Sequence, residues 1–192
     1  MKYYIELTLI SNEEIPLHFL WEKLYQQLHL VLVERLENDK SKVGASFPKY
    51  NKEAKQLCNK LRLMALEKKH LETLNLDKYF SRLTDYVHWT NIKEIPVDKI
   101  TGYAFFKREQ VKSNHQRLAR RRADKMGISK QQAIDFFAGK TESESKAPFI
   151  YIKSSKGNRY PLFILMTETN IKSNSAEFSS YGLSSTSSVP IF

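Results

Sequence analysis

The chain has 192 residues, of which 41% are hydrophobic and 12% aromatic, so it can bury a core and is not a disordered linker. Its 31 Lys and Arg residues exceed its 21 Asp and Glu residues, and the net charge of +10 favours an anionic partner. No apolar run is long enough to span a membrane, and the N-terminus alternates instead of forming a signal-peptide block. The lone Cys58 cannot form an internal disulfide, and we expect it to be a small core residue. We therefore expect a soluble protein of a reducing cytoplasm.

The first half of the chain predicts six elements in the order β-α-β-β-α-β. Hydrophobic residues alternate over 2–10, as in a half-buried strand, and then recur at helical spacing over 15–36. The remaining elements are strands over 42–47 and 61–66, a helix over 67–83, and a strand over 86–90 or 86–95. This order is that of a ferredoxin-like fold, in which two helices pack on one face of an antiparallel sheet. We predict an α+β protein with such a domain over 1–97.

The second half predicts a separate α/β domain over 98–192, beginning just after Pro96. The predicted elements are a strand over 101–107, helices over 113–126 and 129–139, and strands over 149–153 and 160–166. Ser129 and Gln132 have the spacing of a reciprocal capping box, which starts the second helix, and Gly139 would end it. The Ser-rich tail contains enough large apolar residues that we expect it to pack.

Most of the excess charge falls in this second half. Residues 101–192 contain 15 Lys and Arg against 7 Asp and Glu, whereas residues 1–100 contain 16 against 14. The basic helix of residues 113–126 is the main source, with Ser113 or Asn114 as its N-cap and Gly127 at its end. A charge field confined to one region indicates a polyanion, and a folded nucleic acid is the first candidate.

Helical spacing divides the basic helix into a cationic stripe and a small apolar face. The stripe consists of Arg117, Arg121 and Lys125, flanked by Arg120; the apolar face consists of Leu118, Ala119, Ala123 and Met126. The planar guanidinium suits phosphate and guanine, and a short RNA hairpin with an open groove is a better target than a long A-form duplex. The alternative is a solvated surface helix with an Arg120–Asp124 ion pair. Charge alone does not distinguish RNA from DNA.

Five short strings occur in order along the chain. They are Leu28-His29, Gly44-x-Ser46-Phe47-Pro48, Lys112-Ser113-Asn114 before the arginine cluster, Pro148-Phe149-Ile150 leading to Lys153-Ser154, and Tyr181-Gly182-Leu183-Ser184 ending in Val189-Pro190-Ile191-Phe192. Together they resemble the CRISPR precursor-RNA endoribonucleases of type I-F systems, and the resemblance covers essentially the whole chain.

This resemblance implies a function as well as a fold. Members of that family recognise the short stem-loop of the CRISPR repeat and cut at the 3′ base of the stem, without a metal or other cofactor. The products carry a 5′-hydroxyl and a 2′,3′-cyclic phosphate, and the enzyme keeps the mature guide RNA. The implied setting is the prokaryotic cytoplasm, where the free protein is a monomer away from membranes and later joins the other subunits of the type I-F interference complex.

The resemblance also assigns a catalytic set. Among the five histidines, His29 lies at the edge of the apolar stripe of its helix, where a structural histidine is the more frequent finding; the resemblance instead makes it the general base. Ser154 would position the attacking 2′-hydroxyl, with Ser155 as the alternative if the register shifts by one residue. Tyr181 would orient His29, although from the sequence alone it could be a packing residue.

RNA recognition is implied for a larger set. Arg108 and Gln110 would read base pairs near the foot of the stem, and Tyr160 would stack on its terminal pair. The RNA-binding residues are expected to be Arg108, Gln110, Lys112, Asn114, Arg117, Arg120, Arg121, Arg122, Lys125 and Tyr160. Asp124 and Met126 replace basic residues of the family pattern, so we expect fewer phosphate contacts there.

Two other functions remain open at this point. One is a hairpin-binding subunit of a ribonucleoprotein that keeps the scaffold but does not cleave RNA. The other is a DNA-binding or ribosomal structural protein, which would explain the charge but not the combination of His29, Ser154 and Tyr181.

Overall fold

The computed structural model describes residues 1–111, 115–138, 145–154 and 157–192, without the side chains of 115–117. The chain forms two compact units. The sheet unit comprises Met1–Arg108 and Ala147–Phe192, and the helical unit comprises Glu109–Lys146. None of the helices in the described residues combines the length and the apolar composition needed to cross a membrane.

The elements of the first part of the sheet unit are β1 (Tyr3–Leu9), α1 (Leu17–Val33), β2 (Gly44–Ser46), β3 (Lys60–Ala65), α2 (Lys68–Glu72), α3 (Leu76–Tyr79), β4 (Val87–Trp89) and β5 (Lys93–Glu94). Their strands form the first sheet, which is antiparallel, with the order β2-β3-β1-β4 and β5 beside β1. Both the alternation predicted for β1 and the helix predicted over 15–36 are confirmed. In β1 the side chains of Ile5, Leu7 and Leu9 are buried, as the period of two requires.

Two predicted elements of this half differ in the structure. The single helix predicted over 67–83 is wrong, because the chain forms the two short helices α2 and α3. Between them Asn75 adopts a left-handed conformation with φ of 47°, which an α-helix does not accommodate. The strand predicted at 86–90 or 86–95 is divided into β4 and β5, and both pair with β1.

The strands of the second sheet are β6 (Gly102–Glu109), β7 (Phe149–Lys153), β8 (Arg159–Thr169) and β9 (Val189–Ile191). Their order in the sheet is β7-β8-β6-β9. The strands predicted near these positions are confirmed, and the Ser-rich tail packs as expected, with Leu183 and Val189 buried. One hydrophobic core continues through the sheet unit from Leu63 of the first sheet to Phe106 and Ile164 of the second. The two compact units are therefore not divided at residue 97. The domains over 1–97 and 98–192 stay a prediction.

A charged contact joins β1, β3 and the end of the tail. Glu6 accepts hydrogen bonds from Lys60 and from Arg62, the latter at 2.8 Å. Burial disfavours the Glu6 carboxylate, but these two donors outweigh it and hold the pKa of Glu6 below its ordinary value. Arg62 also donates to the Phe192 carbonyl at 2.6 Å, and its guanidinium lies 4.0 Å from the centre of the Phe192 ring.

The helical unit contains α4 (His115–Met126) and α5 (Lys130–Asp135). The basic helix predicted over 113–126 is confirmed over the residues that the structure describes; the predicted caps Ser113 and Asn114 lie outside them, as does Gly139. The capping box at the start of α5 is confirmed, since the Ser129 hydroxyl accepts from the Gln132 amide at 3.2 Å and the Gln132 side chain accepts from the Ser129 amide. Small residues on the two helices form the core of this unit, namely Ala119, Ala123 and Ala133.

Candidate active site and nucleic-acid surface

His29 lies near the C-terminal end of α1, half-buried, and its ring is held from two sides. Its Nδ1 lies 2.9 Å from the carbonyl oxygen of Ser180. A carbonyl oxygen can only accept a hydrogen bond, so in the neutral ring Nδ1 must carry the hydrogen. The other ring nitrogen, Nε2, then has a free lone pair, which is the form that a general base needs.

The second side of the His29 ring is covered by Tyr181. The two rings are stacked with centres 4.2 Å apart and planes 10° apart. The Tyr181 hydroxyl is in turn 2.7 Å from the Tyr160 hydroxyl. Burial, and next the hydrogen bond with Tyr160, raise the pKa of Tyr181 above its ordinary value, with a smaller opposing effect of Arg108. Tyr181 is therefore a neutral phenol near neutral pH.

The backbone turn that carries Tyr181 is fixed by local contacts. The Ser179 hydroxyl accepts hydrogen bonds from the amides of Tyr181 and Leu183, each at 3.3 Å. Gly182 has φ of 70°, a conformation that glycine adopts readily, and its carbonyl accepts from the Ala45 amide of β2 at 2.8 Å. The short Ser-x-Tyr-Gly segment thus places the Tyr181 ring against α1.

Tyr25 is a functional candidate that sequence reasoning missed. It is fully buried on α1, one turn before His29, and its hydroxyl donates to the Tyr181 carbonyl at 2.8 Å. Two successive carbonyls of the tail, those of Ser180 and Tyr181, are therefore bonded to side chains one helical turn apart. The i, i+4 spacing of Tyr25 and His29 was a signal in the sequence, but it does not reveal the distant partner.

Arg108 completes what we call the tyrosine–histidine cluster, which consists of His29, Arg108, Tyr160 and Tyr181. Its guanidinium carbon lies 5.5 Å from the centre of the Tyr160 ring and 6.0 Å from that of Tyr181. Arg108 is an exposed residue at the end of β6, so it adds an accessible positive charge beside the two phenols. Such a charge suits the phosphate of a bound polyanion.

Ser154 follows β7 directly, in the turn that leads to β8. Its hydroxyl accepts from the Asn158 amide at 3.1 Å, and its own amide donates to the Asn158 carbonyl at 2.9 Å. The turn is connected to α1, because the amide of Lys153 donates to the Gln26 side chain at 2.9 Å. Gln26 precedes His29 by three residues, so one face of α1 contacts both the Ser154 turn and the cluster. The alternative serine, Ser155, lies outside the described residues.

The helical unit presents part of the predicted cationic surface. Arg120, Arg121 and Lys125 of α4 are exposed. Met126, expected on the apolar face, is 56% exposed, so that expectation is wrong. Gln110, which follows β6, is exposed as well. Lys112, Asn114 and the side chain of Arg117 lie outside the described residues.

Arg122 is the exception among the arginines of α4. Its guanidinium carbon lies 3.6 Å from the centre of the Phe136 ring, and its Nε is buried without a hydrogen-bond partner in the described part of the chain. Much of this side chain is therefore used for packing within the helical unit, which limits its reach toward a ligand.

Among the described residues no group of three or more His, Cys, Asp and Glu side chains is arranged to hold a metal ion.

The family model and two sequence relatives point to one family. The family model described as "CRISPR-associated protein (Cas_Csy4)" matches residues 4–192. The chain is 34% identical to the "CRISPR-associated endonuclease Cas6/Csy4" of Escherichia coli strain UTI89 / UPEC, over the whole of both chains. It is 28% identical, again over full length, to the protein described in the same words from Pseudomonas aeruginosa strain UCBPP-PA14. A solved structure described as "Characterization of a Cas6-related gene from Pyrococcus furiosus" matches with a TM-score of 0.37 and 12% identity, covering 100% of this chain and 99% of that one.

Proposed function

This chain belongs to the Cas_Csy4 family of CRISPR-associated proteins and is an endoribonuclease, and we propose that it cuts CRISPR repeat hairpins at the 3′ base of the stem. The RNA supplies its own nucleophile: the 2′-oxygen attacks the adjacent phosphorus while the bond to the 5′-oxygen breaks. The 2′-hydroxyl loses its proton, the departing 5′-oxygen gains one, and the products are a 2′,3′-cyclic phosphate and a 5′-hydroxyl. The reaction proceeds without a metal ion.

His29 is the proposed general base for this reaction. The observation that carries the proposal is the hydrogen bond between His29 Nδ1 and the Ser180 carbonyl, because it leaves Nε2 as the nitrogen that can accept the 2′-hydroxyl proton. Stacking against Tyr181 restrains the plane of the ring. Tyr181 is thus the residue that orients the base, and Ser154 is the proposed partner of the attacking hydroxyl.

Recognition of the hairpin is assigned to two groups of residues. The exposed cations Arg120, Arg121 and Lys125 are suited to phosphates along the stem. Arg108 and Gln110 are exposed near the end of β6 and are the proposed readers of base pairs at the foot of the stem. The Tyr160 ring is the proposed stacking surface for the terminal pair, a contact worth roughly 1–3 kcal/mol for a base on an aromatic ring.

The remaining parts of the proposal concern architecture and setting. Four strands of the first sheet in the order β2-β3-β1-β4, all antiparallel, support a ferredoxin-like domain over 1–97, followed by an RNA-binding domain over 98–192. We place the protein in a bacterial cytoplasm as a free monomer. After cleavage it keeps the guide RNA and joins the other subunits of the type I-F interference complex.

The test compares wild type with His29→Ala on a labelled repeat hairpin in the presence of EDTA. Wild type should yield a fragment ending in a cyclic phosphate, while the variant should cut about a thousandfold more slowly and bind the hairpin within a few-fold of wild type. His88→Ala is the matched control, since His88 is exposed on β4, outside the tyrosine–histidine cluster. Loss of binding by His29→Ala, with unchanged cleavage of the bound fraction, would remove His29 from the catalytic role.

A competition experiment separates this function from binding of DNA. The stem-loop RNA should displace labelled repeat hairpin from the protein, whereas its all-DNA counterpart should compete poorly and remain uncut. Equal competition by the DNA hairpin would contradict the proposed specificity for RNA.

A further inference from the structure

Tyr160 offers two distinct chemical groups to its surroundings. It is the second residue of β8, opposite Ile152 of β7, and it is half-buried. Its ring has the guanidinium of Arg108 near one side at 5.5 Å. Its hydroxyl bonds to the hydroxyl of Tyr181 at 2.7 Å, within one step of the ring that stacks on His29.

We infer that the hydroxyl of Tyr160 is a positioning group that couples seating of the RNA stem to the orientation of His29. The inference rests on the proposed function, in which the Tyr160 ring receives the terminal base pair. If that ring moves on binding, its hydroxyl moves with it, and Tyr181 follows through the hydrogen bond. Tyr160 then acts on the reaction through Tyr181 and does not itself touch the reacting atoms.

The contacts of Tyr181 explain why this hydroxyl matters. Stacking restrains the tilt between the His29 and Tyr181 rings but resists sliding only weakly, because dispersion and quadrupole forces change little over a small lateral shift. The backbone of Tyr181 is fixed by the Tyr25 hydroxyl at 2.8 Å. The far end of the ring is fixed by the bond to Tyr160 at 2.7 Å. With both ends held, the position of the ring within its plane is determined.

The arrangement implies discrimination at the cleavage step. A stem with a closed terminal pair would hold the Tyr160 ring in one place, and Tyr181 would be aligned with His29. A stem with an unpaired end would leave Tyr160 without a defined stacking partner, so bound RNA would be cut more slowly. Selectivity for the stem end would therefore appear in the rate of cleavage of bound RNA as well as in affinity.

The test uses Tyr160→Phe, which keeps the ring and removes the hydroxyl, together with Tyr160→Leu, which removes both. Cleavage is followed under single-turnover conditions with saturating protein, for hairpins with a paired or a mismatched terminal pair. Tyr160→Phe should bind the paired hairpin within about twofold of wild type and cut it about three- to tenfold more slowly, as expected for one lost hydrogen bond. Tyr160→Leu should also lose affinity. Tyr151→Phe, a change on the neighbouring strand β7, is the matched control and should behave as wild type.

The decisive measurement is the ratio of the two cleavage rates, paired over mismatched. The ratio should fall at least threefold in Tyr160→Phe, since the signal from the stem end no longer reaches Tyr181. An unchanged rate, or an equal slowing of both hairpins, would overturn the inference, because a merely structural defect would affect both substrates alike. Wild-type cleavage of the paired hairpin in the same assay tests the proposed function separately; if wild type does not cut, both proposals fail.

Discussion

Gly182 permits a sharp test of how the tail is held against the first sheet. A methyl group at this position would lie 3.0 Å from the Ala45 side chain and 3.1 Å from the Ala45 amide nitrogen. The residue also has φ of 70°, which costs a non-glycine residue roughly 1–2 kcal/mol. Crowding against a paired strand adds about 1–3 kcal/mol, because the backbone of β2 cannot move without disturbing its sheet. Gly182→Ala should therefore lower the free energy of unfolding by about 2–5 kcal/mol.

Urea unfolding, followed by tryptophan fluorescence, measures this loss. Gly157→Ala is the matched control, because Gly157 also belongs to the sheet unit and has φ of 78°, but no atom of the described residues lies within 4 Å of the added carbon. The control should lose only about 1–2 kcal/mol, the conformational part alone. If the two variants lost the same free energy, the argument from the close approach to Ala45 would be wrong.

Three further predictions concern stability, salt dependence and catalysis. Glu6→Gln should lower the free energy of unfolding by about 1–2 kcal/mol at neutral pH. Because the pKa of Glu6 is lowered in the folded protein, the difference in stability between wild type and variant should shrink as the pH falls through that folded pKa. A stability difference that is independent of pH would refute the ion-pair explanation. Arg121→Ala should reduce the slope of log affinity against log salt concentration by about 0.7–0.9, for one lost phosphate contact. Arg122→Ala should leave that slope unchanged and lower the melting temperature, because Arg122 packs on Phe136. The reverse pattern would contradict this packing. Tyr25→Phe should keep hairpin affinity and slow single-turnover cleavage about two- to fivefold through loss of one hydrogen bond, and an unchanged rate would show that its contact with the tail is dispensable.

The elements that the sequence predicted well are those governed by local periodicity. The strand β1 and the helix α1 follow from the spacing of apolar residues, and the capping box at Ser129 follows from a pattern only four residues long. The break between α2 and α3 at Asn75 was not predicted, because the apolar spacing continues across it while the backbone of Asn75 is in the left-handed region. Periodicity reports which face is buried, but it is insensitive to a single residue that interrupts the backbone.

The candidate site shows the same limit at long range. The catalytic set was assigned from short strings and a family resemblance, and His29 and Tyr181 do come together although 151 residues separate the hydrogen-bonded pair His29 and Ser180. The hydroxyl bond between Tyr160 and Tyr181, and the contact of Tyr25 with the tail, depend on how the two sheets meet. No local sequence pattern predicts these contacts between residues that are distant in the chain. The helical wheel of α4 likewise gave no sign that Arg122 would pack against the ring of Phe136, the residue that follows α5.

The helical unit is a continuous stretch of chain, Glu109–Lys146, that departs from the end of β6 and returns just before β7. It has a small alanine-lined core of its own, and only two covalent crossings link it to the remainder. Substitutions within this segment therefore change the cationic surface of α4 and leave the part of the chain that holds His29 unaltered. Exchange of this segment between relatives would replace the exposed cations of α4 and leave His29, Tyr160 and Tyr181 in place, which separates the engineering of salt-dependent affinity from that of the cleavage step.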